Sequence, residues 1–245
     1  MPLLGFGVYQ NYTTHDSVLE AFKAGYRHVD SAQAYKNEAH VGSAVRESGL
    51  DREDVFITTK CISKTHGYES TLRAVDISLE RFGFKYIDLY LIHDPFSGSE
   101  RRLQTYRALQ EARKAGKIRS VGVSNFDITR QIWISCIHSA NKSPSYRIAK
   151  KILVVQAYCP LIRGNLGHPI ITQVAEKHKR DPAQVLLRWS LQRGFVPLPK
   201  SATPARIHSN TMLYDFELDA EDMQRLDGLD KGKEGAVSWN PVDVD

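Results

Sequence analysis

The sequence predicts an α/β fold of the (β/α)8, TIM-barrel type, formed as a single domain over residues 1–245. Two observations carry this prediction. Short apolar segments alternate with amphipathic segments along most of the chain, and polar or ionisable residues end the apolar segments at nearly regular intervals. Such alternation is typical of right-handed βαβ units with a parallel sheet. Because the alternation repeats without a break, it favours a barrel over an open sheet.

Seven strands are predicted, over residues 3–8, 26–30, 55–60, 86–93, 118–125, 152–158 and 195–200. Gly5 and Gly7 interrupt the first strand, which indicates close approach of other backbone or of a ligand. Helices are predicted over residues 14–25, 37–48, 69–82, 101–115 and from 181 to the stop at 194. Several of them end at a glycine, the residue that most readily takes the left-handed conformation at a helix C-terminus.

The spacing of the strand ends reveals a gap. From Asp30 the ends follow at intervals of 30, 33, 32 and 33 residues, up to Tyr158. A barrel of this type needs an eighth strand. Residues 131–138 have strand propensity, but they follow Asn125 by five residues, fewer than a parallel crossover requires. We therefore predict that one βα unit, about 30 residues by this spacing, is missing between 126 and 152, and that the barrel is incomplete or irregular around the sixth strand.

The composition indicates a globular protein, with 42% hydrophobic and 25% charged residues. The net charge of +5 is spread along the chain, which argues against nucleic-acid binding. Three cysteines without paired spacing argue against a disulfide framework and a metal site. We see no signal peptide and no apolar run of the roughly 20 residues that cross a bilayer. We therefore expect a cytoplasmic protein, monomeric and without a membrane or metal partner.

Three ionisable residues end successive predicted strands: Asp30, Lys60 and His93. Tyr35 lies in the loop five residues beyond Asp30. A parallel barrel brings such strand ends to one mouth. Taken singly, Asp30 could be a helix cap, Lys60 a solvated strand end and His93 a satisfied core histidine. Four such groups at matching positions are better explained by catalysis.

These residues belong to a longer series of motifs in register. The series is Gly5-Phe6-Gly7, Asp30-Ser31-Ala32-x-x-Tyr35, Lys60, His93, Gly122-Val123-Ser124-Asn125-Phe126, Tyr158-Cys159-Pro160-Leu161 and Pro199-Lys200-Ser201. In their order and positions they resemble the motifs of the aldo-keto reductase family, in particular its short-looped fungal members. The resemblance covers residues 1–126 and 152–240.

The resemblance implies reduction of an aldehyde or ketone to an alcohol by NADPH. Tyr35 would donate the proton, and Asp30 and Lys60 would adjust the pKa of its phenol. His93 would orient the substrate oxygen. The chemistry agrees, because a neighbouring ammonium lowers the pKa of a phenol by favouring phenolate. Phenol and imidazole together would stabilise the developing oxyanion.

The resemblance also implies cofactor-binding residues. Asp30, Ser124 and Asn125 would contact the nicotinamide half, and Tyr158 would stack on its ring. The loop of residues 159–166, with Cys159, Pro160 and Leu161, would contact the pyrophosphate. The adenosine and its 2′-phosphate would be held by Lys200, Ser201, Thr203, Arg206 and Asn210. Two cations beside a helix start suit a phosphate dianion, so NADP(H) is favoured over NAD(H).

The substrate pocket is expected to be formed by His93, Tyr9, Phe96 and Trp239, with Trp133 as a further candidate. Asp94 stands where many relatives have an aromatic residue and would make the pocket more polar. Ser209 stands where many have a glutamate near the adenine, and the Asn-Gln pair of the family's sixth strand is absent from the sequence. Two alternatives stay open: a nicotinamide-binding protein without turnover, and an inactive remnant of a reductase.

Overall fold

The computed structural model describes residues 1–126 and 154–231. Residues 131–138, Trp133, Trp239 and the predicted missing unit lie outside this part of the chain. The described part contains seven strands, each within or overlapping a predicted one. They are β1 (Phe6–Gly7), β2 (His28–Asp30), β3 (Phe56–Cys61), β4 (Ile87–Ile92), β5 (Ile118–Val123), β6 (Gln156–Ala157) and β7 (Val196–Pro197).

Six of the described helices lie between consecutive strands, and two follow the last strand. They are α1 (Thr14–Lys23), α2 (Glu38–Glu47), α3 (Tyr68–Phe82), α4 (Ser99–Lys114), α5 (Pro169–His178), α6 (Pro182–Gln192), α7 (Pro204–Ser209) and α8 (Ala220–Asp227). The spacing of their buried residues explains their packing: in α3 the buried residues Thr71, Val75, Ser78 and Phe82 recur every three or four positions. That helix ends at Gly83, which has φ of 70° and donates to the carbonyl of Leu79.

The seven strands form one parallel series. Strands β1 to β5 pair in chain order, and β6 pairs with β7. The two groups are joined because Gly5 N donates to Pro197 O at 3.0 Å and Gly7 N to Pro199 O at 2.9 Å. The order is therefore β6-β7-β1-β2-β3-β4-β5, and within the described residues β5 and β6 are the outer strands.

The two early glycines make this junction possible, as the sequence predicted. A Cβ atom on Gly5 would lie 2.5 Å from Leu198 Cδ2 and 2.7 Å from His28 Nδ1. A Cβ on Gly7 would lie 3.0 Å from the carbonyl oxygen of Leu198. Any side chain would push β1 away from β7.

The core lies between the sheet and the surrounding helices. Strand β4 is buried along almost its whole length, as expected for a parallel strand that is covered on both faces. Because all strands run the same way, their carboxyl ends meet at one edge, where Asp30, Lys60, His93 and Ser124 lie. Among the described helices, none is long and apolar enough to span a membrane.

Candidate active site

Lys60 is at the centre of the cluster at this edge. Its Nζ donates to Asp30 Oδ1 at 2.5 Å and to the Ser31 carbonyl at 2.8 Å, and lies 3.5 Å from the Tyr35 hydroxyl. The side chains of Lys60 and Asp30 are only 6% and 7% exposed. Lys60 is therefore not a solvated strand end, and Asp30 is an ion-pair partner rather than a helix cap. We call Asp30, Tyr35, Lys60 and His93 the acid cluster.

A short 3-10 turn, Gln33–Tyr35, carries the phenol back over the strand end. Gln33 fixes one side of this turn by donating to the carbonyl of Ala74 at 3.0 Å. Asn37 fixes the other side: it accepts from Ser31 Oγ at 2.8 Å and donates to the Val8 carbonyl at 2.9 Å. The sequence does not indicate this role of Asn37, because an asparagine before a helix is most simply interpreted as a cap.

Burial and the charges within the acid cluster shift the pKa values of Lys60 and Tyr35 in opposite directions. Burial alone would lower the pKa of Lys60, but the Asp30 carboxylate and Tyr35 outweigh it and the pKa is raised. For Tyr35, burial raises the pKa more than the Lys60 ammonium lowers it. The Lys60 ammonium lowers the pKa of the phenol, as predicted, but burial outweighs it and the net pKa of Tyr35 is raised. Tyr35 is protonated at neutral pH.

His93 lies beside the phenol, with the two ring centroids 5.7 Å apart and the planes at 77°. Burial, followed by the charges of Lys60 and His66, lowers the pKa of His93 to about 3. The ring is therefore neutral at physiological pH. Its nitrogens have no hydrogen-bond partner among the described residues, so the ring is available to a ligand and is not a satisfied core histidine.

The predicted carboxamide pair follows β5. Asn125 has φ of 63°, and its Nδ2 donates to the His93 carbonyl at 2.7 Å and to Ser124 Oγ at 3.0 Å. Since a carbonyl can only accept, the amide nitrogen must face His93. Asn125 Oδ1 is left to accept from a ligand, as a carboxamide N–H would require.

A cavity of about 1840 Å³ adjoins the acid cluster. Every predicted site residue within the described part of the chain lines it. These are Tyr9, Asp30, Tyr35, Lys60, His93, Phe96, Ser124, Asn125, Tyr158, Cys159, Pro160, Leu161, Lys200, Ser201, Thr203, Arg206 and Asn210. The cavity is also lined by residues that the sequence did not single out, among them Gln10, Tyr106 and Asp181.

The loops after β6 and β7, residues 158–166 and 200–210, line the cavity with cationic side chains and with backbone in a left-handed conformation. We call them the cofactor loops. Lys200 and Arg206 are exposed, with Arg206 on α7. Cys159, Ile162 and Arg163 have φ of 50°, 48° and 54°, a region that non-glycine residues avoid and that is enriched at ligand sites. No sequence signal marks this strain, since none of the three is a glycine.

These groups fit a nicotinamide dinucleotide phosphate. Exposed Lys200 and Arg206 side chains can pair with phosphate. The backbone of the second loop is held in place, because Asn11 Nδ2 donates to the Ser201 carbonyl at 3.3 Å and Thr203 N to Ser201 Oγ at 3.0 Å. Near the acid cluster, buried Asp30 Oδ2 has no hydrogen-bond partner among the described residues, so it can accept from a ligand hydroxyl.

Asp94 follows His93 and lines the same cavity, but its carboxylate is engaged. Oδ1 accepts from Ser63 Oγ at 2.6 Å and from Phe96 N at 3.2 Å, and Oδ2 accepts from Ser63 N at 3.1 Å. Asp94 thus organises the loop that presents Phe96. Because the three donors are neutral, they hold the Asp94 carboxylate beside the cavity without neutralising its charge.

Comparisons with known proteins show which family the chain is similar to. The model of the Aldo/keto reductase family matches residues 6–162 and 165–231. Glyoxal reductase of Bacillus subtilis is 42% identical and is aligned over 100% of this chain and 94% of its own length. That alignment spans 265 positions, 20 more than the 245 residues of this chain, so the relative has residues that this chain lacks. The position and size predicted for the missing unit stay a prediction.

Solved structures share the fold. An aldo/keto reductase from Brucella melitensis has a TM-score of 0.88 at 38% identity, covering 94% of each chain. An aldo-keto reductase of Bombyx mori, determined in complex with NADP, has a TM-score of 0.84 at 30% identity and covers 94% of this chain and 90% of its own. The predicted (β/α)8 barrel class is confirmed. The chain therefore belongs to the aldo/keto reductase family, and it is an oxidoreductase that reduces carbonyl groups with NADP(H).

Proposed function

We propose that the acid cluster carries out the proton transfer of this reduction, with Tyr35 as the proton donor to an aldehyde or ketone oxygen. One observation carries the proposal: the Lys60 ammonium bridges the Asp30 carboxylate and the Tyr35 hydroxyl, beside an imidazole that burial keeps neutral. Phenol, ammonium and imidazole all line the same cavity.

The chemistry follows from these contacts. NADPH, when bound, supplies a hydride to the carbonyl carbon. As that bond forms, the carbonyl oxygen becomes negative and accepts the Tyr35 proton, while a neutral His93 N–H donates to the same oxygen. The phenolate left behind is stabilised by Lys60, which Asp30 and the Ser31 carbonyl orient. One carbonyl compound, one hydride and one proton give one alcohol.

We propose that the cofactor is held by the residues that the sequence selected. Ser124 and Asn125 bind the carboxamide, Tyr158 stacks on the nicotinamide ring, and residues 159–166 contact the pyrophosphate. Residues 200–210 take the adenosine and its 2′-phosphate. Exposed cations at Lys200 and Arg206 support this assignment, together with the acceptor left on Asn125 and the unpartnered Asp30 oxygen.

The substrate is a small or medium carbonyl compound that enters between Tyr9 and Phe96. These side chains are 52% and 50% exposed, and Tyr9 packs on Tyr35 with ring centroids 4.9 Å apart. The B. subtilis relative is named a glyoxal reductase, so glyoxal and simple aromatic aldehydes are suitable first substrates. We also propose a cytoplasmic monomer: the buried Cys61 forms no disulfide, which agrees with a reducing compartment.

Loss of NADPH absorbance in the presence of glyoxal or benzaldehyde tests the proposal. Tyr35→Phe should lower kcat by about 10²- to 10⁴-fold and leave the Kd for NADPH unchanged, since only a hydroxyl is removed. Tyr12→Phe is the matched control, because it removes the hydroxyl of a tyrosine that is 94% exposed and lies outside the cavity lining, so it should keep turnover. Full activity in Tyr35→Phe would exclude Tyr35 as the acid. Cofactor binding without turnover in the unaltered chain would instead favour the alternative of a nicotinamide-binding protein.

A further inference from the structure

We infer that Asp94 determines substrate specificity by disfavouring carbonyl compounds that carry a negative charge near the reacting group. The inference rests on the proposed function and names the class of substrate within it: neutral aldehydes and ketones in preference to oxo-acids. Asp94 is placed to act in this way because it directly follows His93 and lines the cavity together with His93 and Phe96.

The carboxylate is buried, and its direct partners are neutral. The neighbouring Arg101 and Arg102 guanidinium groups donate to the carbonyls of His66 and Pro95 rather than to Asp94. Asp94 is 7% exposed, and its partners are the three neutral donors from Ser63 and Phe96. Among the described residues, no lysine or arginine forms an ion pair with it. Neutral hydrogen bonds stabilise an ionised carboxylate but leave its charge in place, and charges act more strongly in a poorly solvated cavity than in water.

Asp94 differs from the other carboxylate near the acid cluster. Asp30 forms a buried pair with Lys60, whereas Asp94 lines the His93 side of the cavity with no ion-pair partner among the described residues. The cavity's remaining cations, Arg163, Lys200 and Arg206, lie on the loops after β6 and β7, where the proposed function assigns them to the cofactor. A substrate carboxylate near His93 therefore faces a like charge.

The test compares two aldehydes that differ mainly in charge: 4-formylbenzoate and its methyl ester. In the unaltered chain we expect kcat/KM for the ester to exceed that for the anion by at least about threefold, as expected for like charges at an effective dielectric constant well below that of water. Asp94→Asn should shrink this ratio by about threefold or more, mainly by raising kcat/KM for the anion. Asp94→Ser removes the same charge and should act in the same direction if the asparagine variant folds poorly.

Ser63→Ala is the matched control. It removes the 2.6 Å hydrogen bond to Asp94 and keeps the charge, so it should leave the substrate ratio unchanged even where it lowers both rates. A ratio near one in the unaltered chain would overturn the inference, as would an Asp94→Asn ratio equal to that of the unaltered chain. An equal shift in Ser63→Ala would also overturn it, because loop packing would then be the cause. If the unaltered chain turns over neither aldehyde, the proposed function fails and the inference with it.

Discussion

The acid cluster and the cofactor loops differ in how completely the fold assembles them. Lys60 and Asp30 are buried and make hydrogen bonds to each other and to neighbouring backbone. Lys200 and Arg206 on the second cofactor loop are exposed. The first cofactor loop carries a left-handed stretch at Cys159, Ile162 and Arg163.

This difference fits the roles that we propose for the two regions. A proton donor must be oriented before substrate arrives, because its pKa depends on fixed neighbours. Loops that bind a large anion can leave their cations solvated, since exposed charges cost little until phosphate replaces water around them. The acid cluster should therefore be sensitive to any change in its network, and the cofactor loops should respond mainly to the cofactor.

The largest expected effect is on stability, from breaking the buried pair. Lys60→Met leaves Asp30 buried without its counter-ion, which should lower the free energy of unfolding by about 3–5 kcal/mol. The measurement is denaturant unfolding. Adding Asp30→Leu should recover part of that loss without recovering turnover, and Lys64→Met, at an exposed lysine on the next loop, should change stability by less than about 0.5 kcal/mol. Equal stability of Lys60→Met and the unaltered chain would show that the acid cluster is not held by this pair.

An effect of intermediate size concerns pH. Burial, followed by the charge of Lys60, lowers the pKa of His28 from 6.5 to about 3. Between about pH 6.5 and pH 3, His28 is therefore protonated in the unfolded state but neutral in the native state. The free energy of unfolding falls as the pH drops through this range. Unfolding measured at pH 6 and pH 4 should differ by about 2 kcal/mol from this histidine alone.

His28→Gln isolates that contribution. It should make the loss of stability between pH 6 and pH 4 smaller by about the same 2 kcal/mol, whatever its effect at pH 7. His40→Gln, at an exposed position on α2, should leave the pH dependence as it is. An unaltered pH dependence in His28→Gln would show that His28 takes up a proton in the native state.

The smallest effect is expected in the cofactor loops. Arg206→Ala should weaken NADPH binding by about tenfold, the amount expected for a charge-assisted hydrogen bond to phosphate. It should leave NADH binding and unfolding nearly unchanged, because Arg206 is exposed. Fluorescence titration with both nucleotides gives the two values of Kd, and Lys114→Ala, at an exposed lysine on α4, is the control. Equal weakening for NADPH and NADH would remove Arg206 from the 2′-phosphate site.

The sequence anticipated the acid cluster well because strand ends meet in a parallel sheet. Once Asp30, Lys60 and His93 were each assigned to a strand end, the topology alone placed them together. Strand lengths were less predictable: β6 pairs over only two residues, Gln156–Ala157. Apolar side chains mark which segments are buried, whereas backbone pairing depends on the register of the neighbouring strand.

Two kinds of feature could not be obtained from residue types. The net pKa of Tyr35 depends on how deeply the phenol is buried, and Asp94 turns its carboxylate toward Ser63, 31 residues away in the chain. Asn37 likewise bridges two strand ends through contacts to Ser31 and Val8. Such long-range partners follow from tertiary packing, which periodicity and motif spacing do not specify.

The difference between the two regions can be measured directly by hydrogen–deuterium exchange with and without saturating NADPH. We expect peptides that cover 158–166 and 200–210 to gain protection on binding, because the cofactor covers these loops and adds hydrogen bonds to them. Peptides that cover 28–35 and 56–61 should change little, since the acid cluster is already held by its own hydrogen bonds. Equal gains of protection in both sets of peptides would contradict the account, and would mean that the acid cluster is assembled only when the cofactor binds.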